Sequence, residues 1–138
     1  MRILIASDKF KGSATGSEVA TALADGIREI IPDAVVDAAP VADGGEGTVD
    51  AAVASGFTPV TVSVTGPTGH PVDATFAVRE EQAIIEMAAA SGLDVLPGGE
   101  KDALGATSRG TGELIVAALD RGATSIVLGV GGSACTDG

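Results

Sequence analysis

The sequence is poor in aromatic and sulfur-containing side chains. It has no Trp, no Tyr, three Phe and one cysteine, Cys135. A lone cysteine excludes an intrachain disulfide, and the scarcity of aromatics removes the surfaces on which single-stranded nucleic acids stack. The core must be built mainly from Ala, Val, Ile and Leu, which is typical of layered α/β proteins.

Positive charge is scarce as well. Eight Lys and Arg face nineteen Asp and Glu, for a net charge of −11, which argues against a nucleic-acid partner. The only histidine, His70, lies in a Gly-Pro-rich turn, so we expect neither a Ser-His-Asp set nor a Cys/His metal cluster. The first apolar run, Ile3–Ala6, is too short for a signal peptide or a membrane span. We therefore expect a cytoplasmic protein with no membrane partner.

The first part of the chain alternates between strand and helix patterns. Residues 2–7 form a short apolar run, typical of a buried parallel strand. Thr15 and Glu18 have the spacing of a capping box, which predicts a helix from near Gly16. A second strand is predicted at residues 34–39, followed by a second helix. We assign residues 1–56 to a flavodoxin- or Rossmann-like parallel βαβα unit.

The pattern changes after Gly56. Residues 58–65 and 72–79 alternate between β-branched and polar side chains, and a third run follows, which predicts an antiparallel meander. A later helix and strand lead into a glycine-rich loop that ends at Gly138. We assign residues 57–138 to a second α/β domain, and expect the chain to be the N-terminal part of an incomplete two-domain fold.

The stretch Ala42–Thr48 lies between a predicted strand and a predicted helix. Its glycines, Gly44 and Gly45 among them, leave backbone N–H groups uncovered at a helix start, where an anion can bind. Asp43 and Glu46 would repel an anion unless a divalent cation lies between them. The stretch therefore favours a metal–phosphate or polyol site, with a solvated glycine-rich turn as the alternative.

Four polar loops follow strands or precede helices, and the carboxyl ends of parallel strands meet at one edge of a sheet. These loops are Asp8–Gly12, Asp43–Thr48, Ser108–Gly112 and Gly129–Gly138. Together they combine acids, cations and free backbone donors, the groups that phosphoryl transfer requires. The alternative is that the acids cap loops and the cations are solvated or pair with surface acids.

Seven ordered stretches resemble the glycerate kinase family, which phosphorylates glycerate with ATP. They are residues 7–12, 40–48, 65–67, 85–88, 91–93, 110–115 and 129–134. The resemblance covers the N-terminal part of that family, whose members are longer and have two α/β domains with the active site in the cleft between them. It implies transfer of the ATP γ-phosphate to D-glycerate with Mg²⁺, and it leaves a homodimer open.

Position and chemistry then suggest roles within this family. Asp8, Lys11 and Asp43 are assigned to catalysis, with Asp8 as the candidate base, and Asp43 and Glu46 are assigned to Mg²⁺. The residues assigned to substrate or phosphate binding are Lys9, Gly44, Gly45, Glu46, Arg109, Gly131, Gly132 and Ser133. Arg109 is expected to hold the glycerate carboxylate.

Two other functions fit parts of the pattern. A flavodoxin-like module, either a receiver or a flavin-binding domain, would also carry Asp8 after its first strand, but the meander at residues 58–85 interrupts the alternation that such a fold requires. A noncatalytic fragment that only binds the rest of its protein is the third interpretation.

Overall fold

The computed structural model describes residues 1–10, 12–39 and 41–137, so the candidate catalytic Lys11 lies outside the described residues. The chain divides into two compact units, Met1–Asp43 and Gly44–Gly138. The mixed parallel and antiparallel α/β fold that the sequence predicts is confirmed.

The first unit is a βαβ arrangement. Strand β1 (Arg2–Ile5) and strand β2 (Val35–Ala38) pair in parallel, with Arg2 opposite Val35 and Ile5 opposite Ala38. Parallel strands need a crossover, and helix α1 (Gly16–Ile30) supplies it.

Helix α1 begins where the sequence predicts. The Thr15 side chain accepts a hydrogen bond from the Glu18 backbone N–H at 3.2 Å, and the Glu18 carboxylate accepts one from the Thr15 backbone N–H at 2.8 Å. This reciprocal pair satisfies two N–H groups that a helix start leaves open. The helix buries Ala20 and Ala24 against Ile5, which forms the small core of the first unit.

The second unit is built on a four-stranded sheet in the order β3-β4-β5-β6. Its strands are β3 (Thr58–Thr65), β4 (Pro71–Arg79), β5 (Gln82–Glu86) and β6 (Ser125–Gly129). The first three form the predicted antiparallel meander, and β6 pairs with β5 in parallel. The crossover between β5 and β6 contains the short helix α3 (Ala88–Ser91) and helix α4 (Arg109–Asp120).

Both faces of this sheet are covered by helices. Phe76 and Ile85, fully buried, pack in one cluster with Leu114 of α4. The neighbouring positions Ala77 and Ile84 point to the other face, where they pack with Val49 of helix α2 (Thr48–Ala54). Because successive strand residues point to opposite faces, one sheet supports two cores.

Helix α2 belongs to the second compact unit, whereas the sequence assigned it to the first. The division falls between Asp43 and Gly44, before the boundary near Gly56 that the change of pattern suggested. The reason is packing, since Val49 shares its core with Phe57 and Ala77 of the second unit. Residues 57–138 as a separate domain remain a prediction.

No helix among residues 1–10, 12–39 and 41–137 is long and apolar enough to cross a membrane.

Candidate functional site

A cavity of about 670 Å³ in the second unit lies beside the N-terminal end of α4. Its polar walls come from that helix end and from the loop that follows β6. The lining residues are Met87, Ser108, Arg109, Thr111, Gly112, Ile115, Leu128, Val130, Ser133, Cys135, Thr136 and Asp137. The structure thus brings two residues of the predicted site, Arg109 and Ser133, to one cavity.

Asp137 ties the loop after β6 to the start of α4. Its carboxylate accepts a hydrogen bond from the Thr107 hydroxyl at 2.9 Å and one from the Ser108 backbone N–H at 2.8 Å. These donors favour the charged carboxylate and lower the pKa of Asp137 to about 2. Ser108 makes no side-chain capping bond of its own, whereas the Thr107 hydroxyl accepts from the Arg109 N–H at 3.2 Å. Asp137 fixes the two residues that precede the helix.

Arg109 is held by Glu113, one turn later on α4. The Arg109 Nε donates to the Glu113 carboxylate at 2.9 Å. The same carboxylate accepts from the Thr65 backbone N–H at 2.7 Å and from the Thr65 hydroxyl at 3.0 Å. The ion pair with a nearby acid, which the sequence left open for Arg109, is present, and it connects the helix to the end of β3.

The glycine-rich loop after β6 is fixed by backbone hydrogen bonds to the turn after α3. The Leu93 N–H donates to the Gly132 carbonyl at 3.0 Å, and the Ala134 N–H donates to the Ser91 carbonyl at 2.9 Å. The Ser91 hydroxyl is buried and lies 2.9 Å from the Thr111 hydroxyl of α4. A loop held at both ends presents its groups in one geometry, as a binding site requires.

Gly44, Gly129 and Gly131 bring two predicted anion-binding loops into direct backbone contact. The Gly131 N–H donates to the Gly44 carbonyl at 2.9 Å. A Cβ built on Gly131 would lie 2.8 Å from the Gly45 Cα, so no larger residue fits there. Close approach explains these glycines, and the Gly131 N–H reaches a phosphate only if its bond to Gly44 opens.

Acidic groups gather beside the start of α2. The Glu86 carboxylate, at the end of β5, accepts from the Val49 backbone N–H at 3.0 Å. Glu46 is half-buried, and a Cβ built on Gly132 would lie 3.6 Å from its Oε1. The Thr48 hydroxyl donates to the Gly45 carbonyl at 2.6 Å, which closes the turn. Glu46, Gly45 and Gly132 thus lie in one neighbourhood.

The remaining predicted residues belong to the first unit. Asp8 is exposed, and its carboxylate accepts from the Lys9 backbone N–H at 2.7 Å. The Val41 N–H donates to the Ser7 carbonyl at 3.3 Å, which places the loops after β1 and β2 side by side. Asp43 is exposed and ends this unit. A common rim for these residues and Arg109 stays a prediction.

The acids fit a magnesium ion only in part. Among the described residues, no three His, Cys, Asp or Glu side chains are close enough to hold a metal. Mg²⁺ in phosphoryl-transfer sites keeps several waters and takes one or two protein carboxylates, with phosphate oxygens completing its shell. A single carboxylate such as Glu46 is therefore compatible with an ion that arrives with a nucleotide and not with a metal held by protein alone.

Cys135 lines the cavity but is poorly suited to nucleophilic attack. Burial raises the pKa of its thiol, and the nearby Asp137 acts in the same direction. The Ser133 hydroxyl donates to the Cys135 carbonyl at 3.0 Å, which fixes the local turn.

Glu113 is the residue that sequence reasoning missed. The signal was present, because Arg109 and Glu113 are four residues apart on a predicted helix and such pairs meet. The contact with Thr65 had no sequence signal, since the two residues are 48 positions apart.

Comparisons with known proteins agree with this picture. Residues 3–138 match the glycerate kinase family. The chain is 52% identical over 141 aligned residues to glycerate 2-kinase of Escherichia coli K12 and 48% identical to glycerate kinase of Bacillus subtilis 168. In both cases the alignment covers all of this chain and 37% of the relative.

A solved structure is similar as well. The crystal structure described as glycerate kinase 2 from Salmonella typhimurium LT2 superposes with a TM-score of 0.82 at 51% identity. The superposition covers 99% of this chain and 37% of that one. The chain therefore spans little more than a third of the length of the relatives that it matches.

Proposed function

We propose that this chain, which belongs to the glycerate kinase family, is the N-terminal part of an enzyme that transfers the γ-phosphate of ATP to a hydroxyl of D-glycerate. The observation that carries the proposal is the family match over residues 3–138. The cavity beside α4 supports it, because a guanidinium and a fixed glycine-rich loop lie on its walls.

Arg109 is the proposed carboxylate-binding group. A guanidinium presents planar pairs of N–H donors that match a carboxylate, and the Arg109 side chain is 73% exposed and so accessible. Gly132 and Ser133 are proposed to donate backbone N–H groups to a phosphate, with Lys9 and Lys11 supplying positive charge.

Asp8 and Asp43 are the proposed acids of the first unit. Asp8 would take the proton of the attacking glycerate hydroxyl, and Asp43 together with Glu46 would hold Mg²⁺. When bound, Mg²⁺ neutralises charge on the transferring phosphoryl group. Gly44 and Gly45 are proposed to offer backbone N–H groups to the phosphate.

The product is proposed to be the 2-phosphate. The name of the E. coli relative, glycerate 2-kinase, supports this position for that protein, and the two chains are 52% identical over the region compared. Phosphorus NMR distinguishes 2-phosphoglycerate from 3-phosphoglycerate in the reaction mixture.

The test is ADP release by the full-length enzyme with Mg-ATP and D-glycerate. We expect turnover with glycerate and none with glycerol, which lacks the carboxylate. We expect Arg109→Ala to raise KM for glycerate by about 100-fold, the loss of a charged hydrogen-bonding pair. No turnover by the unmodified enzyme would overturn the proposed function.

Two further variants test the proposed acids and cations separately. Lys11→Ala and Asp43→Asn should each lower kcat/KM for glycerate, because each removes a group assigned to the reacting phosphate or its metal. A variant that keeps near-normal kcat/KM would show that its residue has been assigned wrongly.

The cellular location and the oligomeric state are also proposals. We place the enzyme in the cytoplasm, in line with its single cysteine, and allow a homodimer. Cell fractionation and sedimentation of the full-length protein test these two points.

A further inference from the structure

We infer that Glu113 is a positioning residue that orients the guanidinium of Arg109 toward the carboxylate of the substrate. The inference rests on the proposed function for the identity of the substrate. The structure supplies the contacts that show Glu113 bonded to Arg109.

The Glu113 carboxylate is also fixed by contacts with a residue other than Arg109. It accepts two hydrogen bonds from Thr65, from the backbone N–H at 2.7 Å and from the hydroxyl at 3.0 Å. Thr65 is the last residue of β3, so the carboxylate is fixed to the sheet as well as to its own helix. The Thr65 N–H and the Arg109 side chain both lower the pKa of Glu113, so the group is charged at neutral pH.

Arg109 is held at one nitrogen and open at the others. Among the described residues its guanidinium bonds through Nε, at 2.9 Å from Glu113. The two terminal nitrogens remain free to form the parallel pair of N–H bonds that a carboxylate accepts. Arg109 lines the cavity and Glu113 does not, so Glu113 acts through Arg109.

Positioning explains why a carboxylate lies beside a group that must bind an anion. The charge of Glu113 by itself opposes binding of a negative substrate, but only weakly, because solvent screens charges near the surface. Holding a long side chain in one orientation favours binding by about 2- to 12-fold in affinity, because less side-chain freedom is lost when the substrate arrives. The two effects have opposite signs, so they can be separated.

The test is the KM for D-glycerate of full-length Glu113→Gln. The amide has one oxygen, so it can accept either from the Arg109 Nε and the Thr65 hydroxyl, which share Oε1, or from the Thr65 backbone N–H, which bonds Oε2, but not from all three. We expect KM to rise about 10-fold with a smaller change in kcat. A fall in KM would show that Glu113 acts only through its charge and would overturn the inference, as would an unchanged KM.

Matched controls separate positioning from charge and from stability. Asp120→Asn removes the same charge from the last residue of the same helix and should leave KM within twofold. Thr65→Val removes the hydroxyl bond to Glu113 but keeps the backbone N–H bond and the Arg109 contact, so it should raise KM by less than Glu113→Gln does. A Thr65→Val enzyme with the same KM defect as Glu113→Gln would assign the effect to the local fold and overturn the inference.

A double-mutant cycle identifies the route of the effect. In an Arg109→Ala background, Glu113→Gln should change KM by less than twofold, because the residue through which it acts is gone. Full additivity of the two variants would overturn the inference and leave the proposed function standing.

A readout that needs no turnover completes the test. In the nitrogen-correlated NMR spectrum of the full-length enzyme, the Arg109 Nε–H should exchange slowly and shift on Glu113→Gln. An unmodified enzyme without glycerate turnover would overturn the proposed function and the substrate named here, while this resonance would still show whether Glu113 holds Arg109.

Discussion

The two compact units stabilise parallel β-structure in different ways. In Met1–Asp43, a single helix covers a two-stranded sheet, and the buried cluster is Ile5, Ala20 and Ala24. In Gly44–Gly138, helices cover both faces of a four-stranded sheet that includes fully buried Phe76. Because hydrophobic stabilisation scales with buried apolar area, the second unit should contribute most of the stability of this chain.

Truncating the largest buried side chain of each unit tests this difference most strongly. Phe76→Ala should destabilise the protein by about 3–5 kcal/mol, through lost burial and the cavity left behind. Ile5→Ala should cost about 2 kcal/mol, the low end for such changes, because small neighbours and open surroundings limit the cavity.

Urea unfolding followed by circular dichroism measures both variants, since the chain has no Trp or Tyr to serve as a fluorescence probe. An Ile5→Ala cost equal to that of Phe76→Ala would contradict the comparison. Hydrogen exchange should show the loss of protection confined mainly to the unit that carries the change.

A pair of glycines in α4 tests how tightly the second unit is packed. A Cβ on Gly110 would overlap the Thr65 carbonyl oxygen and lie 3.2 Å from the Ala90 Cβ, whereas one on Gly112 meets nothing within 4 Å. Gly110→Ala should therefore destabilise by about 1–3 kcal/mol through overpacking. Gly112→Ala should stabilise by about 0.4–1 kcal/mol, because it lowers the entropy of the unfolded chain.

The melting temperatures of the two variants should move in opposite directions. Two downward shifts of similar size would show that any added methyl group is harmful in this helix, and that the close approach of α4 to β3 is not the cause.

Local patterns in the sequence were sufficient to predict most of the elements. The Thr15–Glu18 spacing marked the start of α1, and alternation marked the strands of the meander. Such signals concern residues close in sequence, and the physics that they report is local hydrogen bonding and side-chain periodicity.

Contacts between distant residues could not be predicted in this way. Nothing near Val49 indicates that Glu86 caps its helix, and nothing near Ser108 indicates Asp137. The glycines at 44 and 131 are predicted anion donors, and the close packing of their loops is a second reason for glycine that the sequence does not reveal. When the role of a residue depends on a contact with a residue distant in sequence, the surrounding sequence does not reveal that role.

A substitution at the start of α1 in the first unit should lower the free energy of unfolding less than a substitution in the core of the second unit. Thr15→Ala removes the side-chain acceptor of the capping box and should cost about 1 kcal/mol. Thr15→Ser keeps the hydroxyl and should cost much less. Hydrogen exchange at the first turn of α1 measures both, and equal effects for Ala and Ser would show that the cap contributes nothing.

The smallest expected effect is on the pH dependence of stability, and it arises in the second unit. Hydrogen bonds from Ser108 and Thr107 hold the pKa of Asp137 at about 2, below its usual value of 3.8. A carboxylate with a lowered pKa stabilises the folded state fully above its unfolded pKa, and this stabilisation is lost as pH falls through the folded value. Asp137→Asn should thus be less stable than the unmodified protein near neutral pH, and the gap should narrow between about pH 4 and pH 2.

The cause of this shift can be tested at the residue itself. Thr107→Val removes one of the two donors, so it should raise the pKa of Asp137 toward 3.8 without abolishing the shift. Titration of the Asp137 carboxyl carbon by NMR measures this directly. Because Asp137 is exposed, a shift that disappears in high salt would indicate general electrostatics instead of these hydrogen bonds.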